Sequence, residues 1–274
     1  MSDFLTTMAD SSRLRAAETT SASGVTGLTS RASSAAPPVP LSVSDAGFDL
    51  IAEAKLASPA DGPLVRADDP KGRVVELATQ FEGAGVAAVS VLTEPTRFAG
   101  HINHLGAASA ALVVPVMRKD FLVDPIQVLE ARASGASGVL LIARLTEASL
   151  LVEMADDALE SGMFVLVEIF DESDLDVASA VFDRDVLVGV NTRDLTTLEV
   201  DPDRLATLAP LLPHHLPGVA ESGVKTPSDA GNAAELGYRM ALVGTGLVTT
   251  DAPGETARSL ISAGRLVASV DSSP

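Results

Sequence analysis

The sequence contains no cysteine and no tryptophan, and its 19 lysines and arginines are outnumbered by 37 aspartates and glutamates. Without cysteine, the chain cannot form a disulfide, a thiolate nucleophile or a cysteine-bound metal site. The net charge of −18 opposes binding to nucleic acid or acidic membranes, because both require a basic face. No apolar run approaches the roughly 18 residues of a transmembrane helix. We therefore expect a soluble, cytoplasmic protein that binds neither nucleic acid nor membrane.

Histidine and aromatic residues are also scarce. The four histidines are His101, His104, His214 and His215, and none of them follows a predicted strand. Metal ligands must converge on one site, so we expect no metal. Aromatic residues make up 3% of the chain, which makes any aromatic side chain near a candidate site notable.

Residues 1–47 differ in composition from the rest of the chain. They are rich in Ser, Ala, Thr, Gly and Pro and end in AAPPVP (Ala35 to Pro40). Such a composition buries little apolar surface, so it predicts a flexible, poorly ordered arm with at most a short helix over Phe4 to Ala17. A cleavable targeting signal is not expected, since no basic start precedes an apolar stretch. We place the folded domain at residues 48–274.

From residue 48 onward, short apolar runs alternate with longer amphipathic stretches such as Pro125–Ser134 and Glu147–Glu160. Eight runs are predicted strands: Phe48–Ala52, Ala87–Leu92, Val113–Met117, Gly138–Ile142, Phe164–Val167, Val186–Val190, Gly218–Ala220 and Ala241–Val243. Asp124 and Thr226 each precede a proline, which is typical of helix starts. Eight apolar strands covered by helices predict an α/β fold, a single (β/α)8 TIM barrel. An open doubly wound sheet is the alternative, but its G-x-G-x-x-G turn is missing.

Polar residues follow most of the predicted strands, where the active site of such a barrel lies. They are Glu53 and Lys55 after the first strand, Glu94 after the second, Lys119 after the third, Glu168 after the fifth, Asn191 and Arg193 after the sixth, Glu221 and Ser222 after the seventh, and Gly244 and Thr245 after the eighth. Any one of them alone could be a solvated charge at the rim. Their recurrence at one end predicts an active site.

Two of these strand ends suggest a phosphate site. Glu221-Ser222-Gly223 and Gly244-Thr245-Gly246 are glycine turns at the positions where such barrels hold phosphate, because glycine lets backbone N–H groups approach an anion. Plain glycine turns are the alternative.

Two further strand ends suggest acid–base chemistry. Lys119 follows the apolar run VVPVM, where enclosure could lower its pKa and suit it to act as a general acid. Glu168 follows FVLV and offers a partner for proton transfer. Phe98 and Phe121 lie just beyond strands and could enclose a flat apolar ring, or could be ordinary packing residues.

Seven ordered segments at the strand ends carry the most specific signal. They are IAEAKLASPADG (Ile51 to Gly62), SVLTEPTRFAG (Ser90 to Gly100), PVMRKDFLVDPIQVLEARASGA (Pro115 to Ala136), LVEIFDESDL (Leu166 to Leu175), VGVNTRDLTTLEVD (Val188 to Asp201), AESGVKTPSD (Ala220 to Asp229) and ALVGTGL (Ala241 to Leu247). From about Phe48 to Gly254, the sequence resembles the indole-3-glycerol phosphate synthases of tryptophan biosynthesis.

The resemblance implies a carboxy-lyase. Such an enzyme converts 1-(2-carboxyphenylamino)-1-deoxyribulose 5-phosphate into indole-3-glycerol phosphate, carbon dioxide and water. It implies neither a cofactor nor a metal. We expect a monomer whose partner is this small phosphorylated substrate.

By the same resemblance, Lys119 is the general acid that protonates the substrate carbonyl. Lys55 and Glu168 serve the later loss of water, with their two roles left open. Glu53 supports the positive charge of the intermediate, and Asn191 orients the site. The residues implied in substrate binding are Ser58, Phe98, Phe121, Arg193, Glu221 and Ser222, and those implied in phosphate binding are Gly223, Gly244 and Thr245.

Two regions depart from the family pattern. Leu56 stands where a basic residue is more frequent, Ala60 stands where a second serine is more frequent, and residues 1–47 lack the usual Arg-Asp-Phe segment. These departures leave open a repurposed paralogue that binds a related phosphorylated ligand without turning it over. Another phosphate-binding barrel isomerase is the remaining alternative, although the chain lacks the cysteine, and the aspartate after the first strand, that such isomerases use.

Overall fold

A closed barrel of eight parallel strands forms the core of the computed structural model, which describes residues 4–195 and 199–271. The strands in chain order are β1 (Asp49–Ala54), β2 (Ala57–Ser58), β3 (Gly62–Pro63), β4 (Ala88–Leu92), β5 (Val116–Lys119), β6 (Gly138–Ile142), β7 (Phe164–Ile169), β8 (Leu187–Asn191), β9 (Gly218–Glu221) and β10 (Met240–Val243). β2 and β3 pair as a small antiparallel hairpin outside the barrel. The other eight pair in sequence order, and β10 closes the ring against β1.

Helices alternate with the barrel strands. They are α1 (Phe4–Ser34), α2 (Pro70–Ala84), α3 (Ile102–Ala111), α4 (Pro125–Ala133), α5 (Ala148–Glu160), α6 (Glu172–Ala178), α7 (Arg204–Leu208), α8 (Pro227–Glu235), α9 (Thr245–Val248) and α10 (Pro253–Asp271), with short 3-10 helices at Ala143–Leu145, Ser179–Val181 and Ala209–Leu211. This architecture confirms the predicted (β/α)8 barrel, and the open doubly wound sheet is wrong. No helix in the described part of the chain is both long and apolar enough to span a membrane.

β5 is displaced by several residues from its predicted range, Val113–Met117, and begins at Val116. Val113 is 80% exposed, and the backbone N–H groups of Val113 and Val114 donate to the Glu82 carboxylate rather than to a strand. At its other end the pairing continues through Lys119. The Lys119 side chain therefore leaves from the barrel wall itself.

Two predicted helix starts are confirmed by their capping contacts. The Asp124 carboxylate accepts a hydrogen bond from the backbone N–H of Ile126 at 2.9 Å. Thr226 and Asp229 form a reciprocal capping box at the start of α8. Each helix has proline at its first position, where the missing N–H would have had no helical partner.

The apolar core has two layers, one on each side of the barrel wall. Leu50 and Ile51 are consecutive on β1, yet Leu50 packs between strands and helices while Ile51 packs inside the barrel. Successive side chains on a strand point to opposite faces, so each strand supplies both layers. Leu5 and Met8 of α1 join the interior layer beside Phe121. The N-terminal helix thus covers part of one barrel end.

This helix corrects the prediction of a flexible arm. α1 runs through 31 residues with a kink at Gly24, where φ is 62°. Its buried residues include Met8, Ser12 and Ala16, which recur at helical spacing and face the barrel. The composition of this segment did not indicate a helix, because its average apolar content is low. The helix is stabilised by the packing of one narrow face against the barrel. The domain boundary drawn after residue 47 stays a prediction.

We expect Gly264→Ala to destabilise the fold. A Cβ at Gly264 on α10 would overlap the ring of Phe48, which is fully buried. Overpacking of this kind costs about 1–3 kcal/mol, against a gain of about 1 kcal/mol from replacing glycine by alanine in a helix. The free energy of unfolding in urea should therefore fall.

Gly83→Ala is the matched control, because nothing lies within 4 Å of a Cβ added at this position on α2. It should leave the free energy of unfolding unchanged or raise it. Equal effects of the two substitutions would show that contact with Phe48 is not the cause.

Candidate active site

Except for the buried Glu94, every candidate site residue named from the sequence lines one cavity at the carboxyl end of the barrel strands. The strands that contribute side chains there include β1, β5, β7, β8, β9 and β10. Because parallel strands end at the same face of a barrel, residues distant in the chain converge. The individual roles of these residues stay predictions, whereas their convergence is a property of the fold.

At the centre of the cavity, the Lys119 ammonium lies between acidic side chains. Its Nζ donates a hydrogen bond to Glu168 Oε2 at 3.1 Å and lies 3.6 Å from Glu221 Oε2. The Glu168 and Glu221 side chains are only 1% and 2% exposed. Removing charges from water costs free energy, and here the opposite charges offset that cost.

The electrostatic state of Lys119 differs from the sequence prediction. Burial by itself lowers its pKa, but the negative charges of Glu168, Glu221 and Glu53 outweigh burial and raise the pKa above its ordinary value. The predicted lowering is wrong because the apolar flanks of Lys119 in the sequence carry no sign of the three acids that face it across the barrel. The ammonium therefore stays charged at neutral pH.

The charged form of Glu221 is unfavourable in this site. Neither of its carboxylate oxygens has a hydrogen-bond donor among the described residues. Burial, followed by the negative charge of Glu168, raises the pKa of Glu221 well above its ordinary value, against the opposing effect of Lys119. A proton on Glu221 also provides a hydrogen bond to Glu168. The protonated form of Glu221 is thus favoured in this site.

Two glycines make room for the buried acids. A Cβ at Gly189 on β8 would overlap Glu221 Oε1, and a Cβ at Gly244 after β10 would overlap Glu53 Oε1. Glu53 Oε1 lies 2.6 Å from Lys55 Nζ, which forms a second ion pair at the end of β1. Gly244, predicted to bind phosphate, is therefore also required by this close approach.

Asn191 is held from three sides. Its Nδ2 donates to Glu168 Oε1 at 3.2 Å, so the amide is linked to the central acid. Its Oδ1 accepts a hydrogen bond from the backbone N–H of Arg193 at 3.0 Å. Its backbone carbonyl accepts one from Arg204 Nη1 at 2.9 Å. These contacts fix which side of the amide faces the acid.

The first loop, between β1 and α2, contains the β2–β3 hairpin. Ser58 Oγ donates to Asp61 Oδ2 at 2.8 Å and accepts from the Asp61 backbone N–H at 3.0 Å. Leu56, which stands where the family more often has a basic residue, is buried in the outer apolar layer. Ser58 and Ala60 still line the cavity. Apolar packing and internal hydrogen bonds therefore hold this loop over the site.

Aromatic rings form one wall of the cavity. The centroids of Phe98 and Phe121 are 6.1 Å apart, and Phe4 of α1 meets Phe121 edge-on at 5.9 Å. Glu94 is buried and accepts hydrogen bonds from the backbone N–H groups of Arg97 and Phe98. Glu94 thus shapes the loop that carries Phe98. A flat apolar ring fits such a wall.

Two turns line the cavity on the side of β9 and β10, and the first of them has an unusual backbone. Ser222 and Gly223 have positive φ angles of 61° and 74°. The Val224 backbone N–H donates to the Ser222 carbonyl at 2.9 Å, which closes a tight turn. A serine in this left-handed region is uncommon, and such residues cluster at ligand sites. Gly244 and Thr245 line the cavity from the neighbouring turn.

Several cavity residues were not identified from the sequence. Asp120, Leu195 and Lys225 line the cavity, while Phe4 and Arg15 of α1 contact residues of its wall. Lys225 and Asp120 follow strand ends, so position alone could have indicated them. The two α1 residues gave no such signal, because their segment was predicted to be a flexible arm.

Comparison with known proteins decides the family. A family model described as indole-3-glycerol phosphate synthase matches residues 17–260. The chain belongs to the indole-3-glycerol phosphate synthase family. It is 43% identical to the indole-3-glycerol phosphate synthase of Mycobacterium avium (strain 104), over 85% of each chain. It is 42% identical to that of Mycobacterium tuberculosis (strain CDC 1551 / Oshkosh), also over 85% of each. The resemblance predicted from the sequence is confirmed, and with it membership in an enzyme family.

Solved structures support the fold. The 3-hexulose-6-phosphate synthase of Salmonella typhimurium superposes with a TM-score of 0.64 at 14% identity, covering 80% of this chain and 99% of that one. The N-acetylmannosamine-6-phosphate 2-epimerase of Clostridium perfringens superposes with a TM-score of 0.56 at 16% identity, covering 76% and 89%. At such low identity, these likenesses concern the barrel alone.

The raised pKa of Glu221 predicts a pH-dependent stability. A carboxyl whose pKa is raised by folding contributes stability that is fully present below its unfolded pKa and is lost as the pH rises through its folded pKa. Glu221→Gln cannot ionise. From the ordinary value of 4.5 up to neutral pH, its free energy of unfolding should therefore decline less than that of the parent. Urea unfolding at a series of pH values measures the difference.

Glu235→Gln is the control, because this carboxylate is exposed on α8. Its stability should follow the parent across the same pH range. A Glu221→Gln profile parallel to the parent's would contradict the unfavourable charge on Glu221.

Proposed function

We propose that this family member closes the indole ring of indole-3-glycerol phosphate, starting from 1-(2-carboxyphenylamino)-1-deoxyribulose 5-phosphate. The ring carbon that bears the carboxylate attacks the ribulose carbonyl carbon, and the carbonyl oxygen takes a proton. Carbon dioxide then leaves, and its bonding electrons return to the ring. Loss of the new hydroxyl as water completes the indole. The observation that carries the proposal is the Lys119 ammonium, hydrogen-bonded to Glu168 in the middle of the cavity.

Lys119 is the general acid of the first step. Its ammonium is kept charged chiefly by Glu168, its hydrogen-bond partner, before substrate binds, so a proton is available at the centre of the cavity. As the carbonyl oxygen becomes an alkoxide its basicity rises, which allows a positioned ammonium to donate. Protonation of the oxygen drives attack by the ring carbon, and this attack leaves a positive charge on the ring and its amine nitrogen that serves as the electron sink for decarboxylation.

Loss of water requires an acid for the hydroxyl and a base for the neighbouring proton. Lys55 and Glu168 are the two candidates, and both line the cavity. Each is already part of an ion pair, Lys55 with Glu53 at 2.6 Å and Glu168 with Lys119 at 3.1 Å. Asn191 acts through its contact with Glu168.

The substrate has three parts that need different surroundings. Its aromatic ring fits the wall of Phe98 and Phe121, and its carboxylate pairs with Arg193, which lines the same cavity. Glu221 and Ser58 complete the surroundings of the reacting atoms. The phosphate binds at the turns formed by Ser222, Gly223, Gly244 and Thr245.

Local cations matter because the whole chain carries a charge of −18. Attraction of an anionic substrate must come from the cations that line the cavity, namely Lys55, Lys119, Arg193 and Lys225. In the proposed steps the ring of the substrate itself accepts the electrons released by decarboxylation, so these steps involve no cofactor. A monomeric state and a cytoplasmic location stay predictions from the sequence.

The proposed reaction has a direct assay. The purified protein should convert the carboxyphenylamino deoxyribulose phosphate into a product with indole fluorescence, with release of one carbon dioxide per molecule. If high protein concentrations give neither signal while the substrate still binds, the chain is a repurposed binding protein.

Replacing the proposed general acid tests the mechanism. Lys119→Ala should lower kcat by about 10²–10⁴-fold, the usual contribution of a positioned acid. Lys71→Ala, on the exposed start of α2, is the matched control and should leave kcat unchanged. Circular dichroism verifies that both variants are folded. Near-normal turnover by Lys119→Ala would refute its role.

A further inference from the structure

An ion pair joins α1 to the turn that follows β5, and the mechanism above makes no use of it. Arg15 Nη1 and Nη2 donate to Asp120 Oδ2 and Oδ1 at 2.7 and 2.8 Å. The Asp120 side chain is fully buried, and that of Arg15 is 20% exposed. A bidentate pair in such surroundings is both strong and geometrically specific. It ties residues that are 105 positions apart in the chain.

Asp120 is the centre of a larger buried cluster. Its Oδ2 accepts hydrogen bonds from Thr93 Oγ1 at 2.6 Å and from Arg118 Nη2 at 3.3 Å. Arg118 Nη1 continues the cluster to Glu130 Oε2 at 2.8 Å. With Arg15, the cluster has two cations and two anions and is balanced. The pairing lowers the pKa of Asp120 to about 2, against the effect of burial.

One face of α1 is matched to this cluster. Ser12, Arg15 and Thr19 lie three and four residues apart, which places them on the same side of a helix. Ser12 Oγ accepts a hydrogen bond from Gln127 Nε2 at 2.8 Å. Thr19 Oγ1 donates to Glu130 Oε1 at 2.9 Å. Arg15 is therefore the charged residue at the centre of a polar stripe through which α1 binds to the barrel.

Asp120 lies between two residues of the active site. It follows Lys119 directly, and its Oδ1 accepts the backbone N–H of Phe121 at 2.8 Å. The oxygen that receives Arg15 Nη2 thus also sets the backbone of the aromatic wall. Without Arg15, the buried Asp120 charge would lose its bidentate partner, and the carboxylate would have to move toward water or draw water in. Either response displaces the turn.

We propose that Arg15 is a positioning residue for the active site, and that its pairing with Asp120 holds Lys119 and Phe121 in their reactive geometry. The N-terminal helix is then a working part of the catalytic unit rather than a cover alone. The inference rests on the proposed function, because turnover reports the position of Lys119.

Arg15→Ala and Arg13→Ala form a matched pair on the same helix. Arg13 pairs with Asp10 on the surface, where the two side chains are 59% and 65% exposed. In steady-state assays of the full chain, Arg15→Ala should lower kcat by about ten- to a hundredfold, with a smaller change in KM, because displacement of a catalytic group by about 1 Å has effects of this size. Arg13→Ala should stay within about twofold of the parent, since exposed pairs contribute little.

Chemical rescue distinguishes positioning from general destabilisation. Guanidinium ion, added far below unfolding concentrations, should restore part of the kcat of Arg15→Ala but none in Lys119→Ala. Sodium chloride at equal ionic strength controls for screening. Arg15→Lys keeps the charge without the planar fork, so its kcat should lie between those of the parent and Arg15→Ala. If Arg15→Ala fails to fold, the kcat of Arg15→Lys is measured in its place.

Amide hydrogen exchange makes the inference independent of the proposed reaction. The Phe121 amide should exchange faster in Arg15→Ala than in Arg13→Ala, whether or not the protein turns over substrate. If the parent is inactive, the proposed function fails, and exchange alone decides whether Arg15 holds this turn. The inference is overturned by unchanged exchange at Phe121, or by a folded Arg15 variant whose kcat stays within about twofold of the parent without guanidinium.

Discussion

The ammonium of Lys119 faces Glu168 at 3.1 Å and Glu221 at 3.6 Å, with the charge of Glu53 close enough to act on it. Three acids in an enclosed barrel end would repel one another, and each would lose its hydration. One cation among them offsets much of that cost. The remaining excess of negative charge is reduced at Glu221, because burial and the charge of Glu168 favour its protonated form. The cavity can therefore hold a proton donor and a proton acceptor side by side.

This electrostatic arrangement constrains the backbone around it. Gly189 and Gly244 are needed because the carboxylates of Glu221 and Glu53 occupy the space of a side chain. The pairing of β5 extends to Lys119, so the ammonium is carried by the barrel wall and not by a loop. Groups held on strands keep their positions better than groups on loops, which suits a site that depends on short distances between charges.

The two departures from the family pattern have structural counterparts. In the first loop, Leu56 stands where the family more often has a basic residue, and it is buried in the apolar core. Ser58 and Asp61 of the same loop are hydrogen-bonded to each other. In the N-terminal segment, a helix of small and polar residues docks through Arg15 onto Asp120. Both segments contact the active site from outside the barrel. They are also the regions where composition and local pattern were least informative, because their order comes from contacts with distant parts of the chain.

The barrel and the candidate residues at the strand ends could be predicted from apolar periodicity and strand-end position, and the family from seven sequence segments, because these are local properties of the chain. The charge states of the site residues could not be predicted in this way. Lys119 was expected to have a lowered pKa, and only the tertiary structure brought the acids of three other strands to it and reversed the direction. The N-terminal helix was likewise decided by packing against the barrel. Electrostatic energy and burial depend on neighbours in space, and the barrel brings together neighbours that are far apart in sequence.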